Sequence, residues 1–332
     1  MISGLHTVYE SGNKSGSETE CCGLTNIMKL NTLSTILTSV PLLLLLHGSS
    51  RSTVLASPYS DNDSGRRIIN GQQANPADFP FLVRLVADGN LCGGSIISNY
   101  WIVTAAHCIV RARCQAIEIY RSNWQLGQPP QIHAAQCVIH PQNDPRRYAF
   151  DVALIRTVED MVSGGLKAIT LTPPGTRYPP GTPATVVGWG KIGYNAYPQT
   201  LLRGQSVLVP WDVCNAQFKA GSLRCSGNPN CNIEDIPNRV LCARGQGQDP
   251  QSMCGGDSGG PLIINGELAA INTASMYGSR PILTAGCVLG TATMHTSIVD
   301  YLPWLFSLVD PSVNTAGFPV APESSTTLPV DG

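Results

Sequence analysis

Charge of either sign is scarce in this chain. Only 13% of its 332 residues are Asp, Glu, Lys or Arg, and the 22 acids and 21 bases leave a formal net of −1. There is no basic tract, so nothing here provides a footprint for nucleic acid. Long stretches of helical period are also missing, which argues against a helical bundle. The most apolar stretch, Leu33 to Leu46, is shorter than the roughly 18 residues a membrane span needs. Cysteines in the paired short spacings of a zinc site are absent too. No metal or organic cofactor is expected.

Gly and Pro are plentiful, 33 and 25 residues, and they punctuate short aliphatic and β-branched runs. Examples are Phe81–Val86, Trp101–Thr104, Ile132–Ile139, Val152–Thr157, Ala184–Val187, Pro261–Ile264 and Leu268–Asn272. That density of short strands predicts an all-β fold of closed antiparallel barrels, in one large domain or two modest ones. One helix is expected, at the end: Asp300 can cap it, Pro303 then lies in its first turn, and Leu302, Leu305, Phe306 and Val309 share a face.

Met28 and Lys29 followed by Leu33 to Leu46, with Val54-Leu55-Ala56 beyond, read as a signal peptide and its small-residue cleavage site. Residues 1–27 are then an extension before the true start, 28–56 the signal and 57–67 a polar propeptide. Residues 68–309 form the folded domain, and 310–332 a Pro-, Ser- and Thr-rich disordered tail. The rival reading makes residues 33–46 a signal anchor that holds the protein at a membrane. Twelve cysteines suit an oxidising compartment, and ten remain once Cys21 and Cys22 are set aside.

The chemistry is concentrated in Cys254-Gly255-Gly256-Asp257-Ser258-Gly259-Gly260-Pro261. A hydroxyl sits there in a glycine-lined turn, where its own N–H and that of Gly256 can point at one spot and hold a developing oxyanion. A hydroxyl alone is a weak nucleophile and needs a base. Thr104-Ala105-Ala106-His107-Cys108 supplies one, and Asp151-Val152-Ala153-Leu154 supplies an acid to orient it. The order His, Asp, Ser belongs to one of the convergent triads; it excludes an esterase of the Gly-x-Ser-x-Gly type, which also needs a strand–turn–helix context.

With Arg67-Ile68-Ile69-Asn70-Gly71, Leu91-Cys92-Gly93-Gly94-Ser95 and Val187-Gly188-Trp189-Gly190, these segments make the chain resemble the trypsin/chymotrypsin-like serine endopeptidases from Ile68 to about Val309. The resemblance implies two antiparallel six-stranded β-barrels of the chymotrypsin-like fold with a short C-terminal helix, and the site between the barrels. It implies His107, Asp151 and Ser258 as the catalytic triad, with the N–H groups of Gly256 and Ser258 as the oxyanion hole. It further implies a secreted zymogen cleaved after Arg67, so that the new ammonium of Ile68 pairs with Asp257. Disulfides Cys92–Cys108, Cys214–Cys242 and Cys254–Cys287 follow from it. Cys225 and Cys231 lie close together and are taken as a pair, which leaves Cys114 with Cys137 by elimination. The partners implied are polypeptide substrates, an activating protease and protein protease inhibitors, with the chain a monomer.

The primary pocket departs from the trypsin pattern. Ser252 stands where trypsin-like enzymes carry an aspartate, so a buried substrate cation would go unpaired. Ser275 and Thr293 fall where open pockets have glycine, which predicts a shallow pocket for small or medium apolar residues. Thr273-Ala274-Ser275 replaces the usual Ser-Trp-Gly, unless a small insertion makes Ser275-Met276-Tyr277 the equivalent, and Thr273 is expected to keep the hydroxyl contact to Asp151. The acidic loop that binds calcium in some members of that family is missing too, since Glu118 to Gln136 contains no further carboxylate. A homologue that uses the same fold to bind rather than to cut is the alternative from another class.

Overall fold

The structure, a computed structural model, describes residues 68, 70–125, 127–193, 196–221, 236–248, 250–275, 287 and 289–309. The expected signal, propeptide and tail, together with Arg67, Cys225 and Cys231, lie outside the described residues.

After a two-residue edge strand, β1 (Gln72–Gln73), come β2 (Leu82–Ala87), β3 (Asn90–Ile96), β4 (Trp101–Thr104), β5 (Glu118–Arg121), β6 (Ile132–Ile139) and β7 (Ala153–Thr157). β2 to β7 close into an antiparallel barrel in the order β2-β3-β4-β7-β6-β5. The second half holds β8 (Pro183–Gly188), β9 (Leu202–Val209), β10 (Val240–Arg244), β11 (Pro261–Ile264), β12 (Glu267–Ala274) and β13 (Thr293–Ser297). Their order is β9-β10-β13-β12-β11-β8, and a β8–β9 pairing shuts the ring, with β1 added on β9. This is the pair of six-stranded barrels expected.

Turn chemistry explains two of the hairpins. β2 and β3 are joined through Asp88 and Gly89, and β11 and β12 through Asn265 and Gly266, all four with positive φ. Such turns match the twist of the flanking strands and favour Asx-Gly. Inside the first barrel Val83, Leu85, Ile96, Ile102, Ile119, Leu154 and Ile155 form one apolar cluster; Val186, Leu208, Leu262 and Ile264 fill the second with Ile68. Burying each such side chain contributes on the order of 1.5–3 kcal/mol.

Three α-helices are present among the described residues: α1 (Ala106–Ile109), α2 (Trp211–Gly221) and α3 (Leu302–Phe306). α2 corrects the expectation of a single helix. Its apolar spacing is too sparse to stand out in the sequence; tertiary contacts hold it, through the Cys214–Cys242 disulfide and a Trp211 Nε1 bond to the Pro237 carbonyl. α3 carries Pro303 in its first turn, but Tyr301 rather than Asp300 is its cap residue. Leu302 and Leu305 join the first barrel's cluster, so the chain end closes over the N-terminal half. Disulfides Cys92–Cys108, Cys114–Cys137 and Cys254–Cys287 are formed as well. No helix among the described residues is long and apolar enough to cross a membrane.

The two barrels meet backbone to backbone. A Cβ on Gly93 would lie 2.8 Å from Gly260 Cα, and one on Gly259 would overlap Thr104 Oγ1 and the Gly93 carbonyl. The Gly93 N–H donates to the Ser258 carbonyl at 2.7 Å. Glycine at these positions is what lets a strand of the first barrel touch the Ser258 turn of the second.

Candidate active site

Strand pairing assembles the first half of the site. β4 runs into α1, which carries His107, while Asp151 stands just before β7, and β4 and β7 pair with Thr104 opposite Ala153. Residues 44 apart in sequence therefore meet. Asp151 is 1% exposed. Its Oδ1 accepts the His107 main-chain N–H at 2.8 Å, and its Oδ2 lies 2.7 Å from His107 Nδ1. A carboxylate in that position accepts from Nδ1–H, which leaves Nε2 as the basic nitrogen. Tyr148 meets the imidazole edge-on at 6.1 Å between ring centroids.

The second half is the turn 254–260. Asp257 N–H donates to the Cys254 carbonyl at 3.0 Å and Gly260 N–H to the Asp257 carbonyl at 3.1 Å. β12 brackets the turn, since Asn272 accepts from Gly259 N–H and donates to the Gly260 carbonyl. Gly256 holds φ +103° and Gly259 φ +78°, conformations that L side chains rarely adopt. Among the described residues no hydrogen bond takes up the N–H of Gly256 or of Ser258. His107 and Ser258 line one cavity of about 540 Å³, together with Leu91, Cys92 and Cys108 of the first half of the chain and Met253, Thr273, Ala274 and Ser275 of the second. The described contacts include no hydrogen bond between the Ser258 hydroxyl and His107.

Asp257 points away from the cavity and is wholly buried. Its Oδ1 accepts Gly190 N–H at 2.7 Å and its Oδ2 accepts Cys254 N–H at 2.9 Å. Burial pushes its pKa up to about 6 against the lowering effect of those two N–H groups. No ion pair to it occurs among the described residues. Ile68 is 1% exposed in the second barrel's cluster and holds φ +48°, unusual for a β-branched residue.

The expected pocket residues divide. Thr273 and Ser275 line the cavity, while Ser252 and Thr293 are buried away from it. Ser252 Oγ donates to the Met253 carbonyl at 3.1 Å. The expected contact between Thr273 and Asp151 is not made: Thr273 Oγ1 lies 2.7 Å from Thr296 Oγ1 and 3.1 Å from the Ile271 carbonyl. The cause is a register shift in the β12–β13 ladder between Asn272 and Ala274, which sends Thr273 across to β13.

Two buried polar residues escaped the sequence reading. Asn272 and His295 are both 0% exposed and lie 2.9 Å apart, Oδ1 to Nδ1. Burial pushes the His295 pKa down to about 3, so its imidazole is neutral. The signal available for Asn272 was its place directly after the apolar run Leu268–Ile271 of β12; β13, Thr-Met-His-Thr-Ser, is too polar to mark His295 as buried. Among the described residues the cluster of Cys92, His107 and Cys108 has metal-ligand spacing, but both sulfurs belong to one disulfide and neither can be a thiolate ligand.

Comparison with known proteins agrees with this architecture. A family model described as Trypsin matches residues 68–302. Trypsin V-B of Rattus norvegicus is 30% identical over 261 residues, 76% of this chain and 93% of that protein. The venom peptide isomerase heavy chain of Agelenopsis aperta is 30% identical over 226 residues, 63% of this chain and 88% of that protein. Among solved structures, a scabies mite inactivated protease paralogue, S-D1, superposes with a TM-score of 0.59 at 22% identity, covering 74% of this chain and 98% of that one. Barrels, bracketed turn and matched sequence together show that the chain belongs to the trypsin/chymotrypsin-like serine protease family.

Proposed function

We propose that the protein is a secreted serine endopeptidase, made as a zymogen and activated by cleavage after Arg67. The observation that carries this reading is one cavity lined by Ser258 and by a histidine whose far nitrogen is bonded to a buried aspartate. In the proposed reaction His107 Nε2 takes the Ser258 proton as Oγ attacks a peptide carbonyl, then returns it to the leaving amine. Asp151 holds the tautomer and stabilises the imidazolium. The unengaged N–H groups of Gly256 and Ser258 receive the oxyanion. Water then hydrolyses the acyl-enzyme by the same steps.

The zymogen reading draws support from Asp257. A wholly buried carboxylate with only two N–H donors is costly, and an ammonium freed at Ile68 would offset that cost. The left-handed φ of Ile68 belongs to the uncut chain, and cleavage would release it. Cleavage after small or medium apolar residues is favoured by Met253, Thr273, Ala274 and Ser275, which line the cavity with Ser258 and carry no charge for Lys or Arg. The expected partners are polypeptide substrates, an activating protease and protein inhibitors.

The second reading, a binding module, is favoured by the Thr273-Ala274-Ser275 wall and by the hydroxyl of Thr273, which bonds Thr296 and the Ile271 carbonyl in place of Asp151. A fluorophosphonate probe applied after activation separates the two. Labelling of Ser258 that disappears in Ser258→Ala supports the enzyme; a silent wild-type chain, correctly cut, supports the binder. An uncut Arg67→Gln chain with full activity would overturn the zymogen.

A further inference from the structure

We infer that Asn272, locked in one orientation by His295, is a positioning residue that aims the Ser258 N–H at the oxyanion. The inference rests on the proposed hydrolytic role of Ser258 and adds a residue to that site.

The side chain of Asn272 donates from Nδ2 to the Asp257 carbonyl at 3.1 Å. That carbonyl and the Ser258 N–H belong to one planar trans peptide, in which C=O and N–H point in opposite directions. Holding the carbonyl toward β12 therefore turns the Ser258 N–H the other way, where no hydrogen bond engages it among the described residues. Gly260 N–H reaches the same carbonyl at 3.1 Å, so the carbonyl would not be orphaned without Asn272. The second donor fixes a direction that the first leaves loose, because the turn is flanked by glycines at 255, 256, 259 and 260.

An asparagine amide can present either its oxygen or its nitrogen; the Asp257 carbonyl can only accept, so it takes Nδ2–H, and His295 holds the oxygen that is left. Asn272 Oδ1 can only accept, so His295 Nδ1, 2.9 Å away, must carry a proton. His295 Nε2 can then accept from the Thr293 hydroxyl at 2.7 Å, the shorter of the two contacts open to that single proton, the other being the Ala243 carbonyl at 3.1 Å. A neutral imidazole satisfies both contacts at once, and its full burial keeps it neutral. With Oδ1 held by His295, the amide N–H₂ has to face the Asp257 carbonyl. The chain Thr293, His295, Asn272, Asp257 carbonyl is thus polar from end to end, with the donor directions from His295 Nδ1 to the Asp257 carbonyl determined. An apolar set would fill the same space at lower desolvation cost; what it would lose is the aim of one N–H.

The test is Asn272→Leu in the activated full chain. Turnover of a peptide substrate should fall about 10- to 100-fold, below or near the effect of deleting one oxyanion donor, with KM nearly unchanged. Affinity for a peptide boronate should fall by the same factor, while affinity for the product peptide stays constant. Fluorophosphonate titration of total sites keeps the comparison to folded protein. Equal turnover and equal boronate affinity in wild type and variant would overturn the inference. Should Asn272→Leu fail to fold, His295→Leu against His295→Gln decides it: Gln retains a donor toward Asn272, so turnover should be restored relative to Leu, and no difference between them rejects the chain. A wild type that hydrolyses and labels while the variants match it sinks this inference alone; a wild type that does neither sinks the endopeptidase reading.

Discussion

Asp151 grips His107 at two points, the main-chain N–H at 2.8 Å and ring Nδ1 at 2.7 Å. The first bond fixes where α1 begins, and the second fixes the tautomer. Asp151→Asn should keep the first bond, because an amide oxygen still accepts. It should lose the second function, because an amide N–H₂ turned to the ring stabilises the wrong tautomer. Turnover near neutral pH is expected to fall about 10⁴-fold, as the same exchange does in the type enzyme, with little loss of stability. A denaturant midpoint beside a kcat measurement checks both halves; a change under ten-fold in kcat would refute the role of Asp151.

The glycine contacts between the barrels carry a separate expectation. Gly93→Ala places a methyl 2.8 Å from Gly260 Cα, main chain against main chain, where no side chain can swing aside. Overpacking of this kind costs about 1–3 kcal/mol. Because Gly93 N–H also holds the Ser258 carbonyl, the damage should fall on activity as well as on the unfolding midpoint. A variant as stable and as active as wild type would mean that the barrels do not touch there in solution.

The barrels and the serine turn were legible because local rules and global fold agree at those points. Short aliphatic and β-branched runs punctuated by Gly and Pro, and the glycines around Ser258, each mean the same thing alone and in context. α2 was not, since its helicity depends on a disulfide and on packing rather than on its own period. Thr273 was misread because a one-residue register shift in β12 redirects its hydroxyl to Thr296, and register is a property of two strands. Asn272 and His295 were invisible as a pair, lying 23 residues apart and joined only when β12 and β13 align.

Asp257 ties stability to pH in the uncut chain. Its folded pKa, about 6, is raised from the ordinary 3.8, so its contribution is fully present below about 3.8 and is lost as pH rises through 6. By neutral pH the charged form costs the fold on the order of 3 kcal/mol. The unfolding free energies of wild type and Asp257→Asn should therefore diverge between pH 4 and pH 7.5, in favour of the asparagine variant. After cleavage at Arg67 an Ile68 ammonium beside the carboxylate should abolish that divergence. Denaturant titrations of cut and uncut chains across the range measure it, and an identical pH dependence in both would exclude pairing.

His295 works in the opposite direction. Its folded pKa, about 3, lies below the ordinary 6.5, so its contribution is complete above 6.5 and is lost as pH falls toward 3. The slope approaches 1.4 kcal/mol per pH unit within that window. Because Asp257 gains stability over part of the same interval, the wild-type curve is flattened, and only a difference isolates the histidine. His295→Gln keeps a donor to Asn272 and has no proton to take up. Relative to wild type it should gain stability steadily from pH 6.5 to pH 4, by about 3 kcal/mol, while the two differ by a constant above pH 7. A difference that stays constant across the whole range would show that His295 takes up its proton as readily in the folded chain as in the unfolded one, so that burial does not hold it neutral.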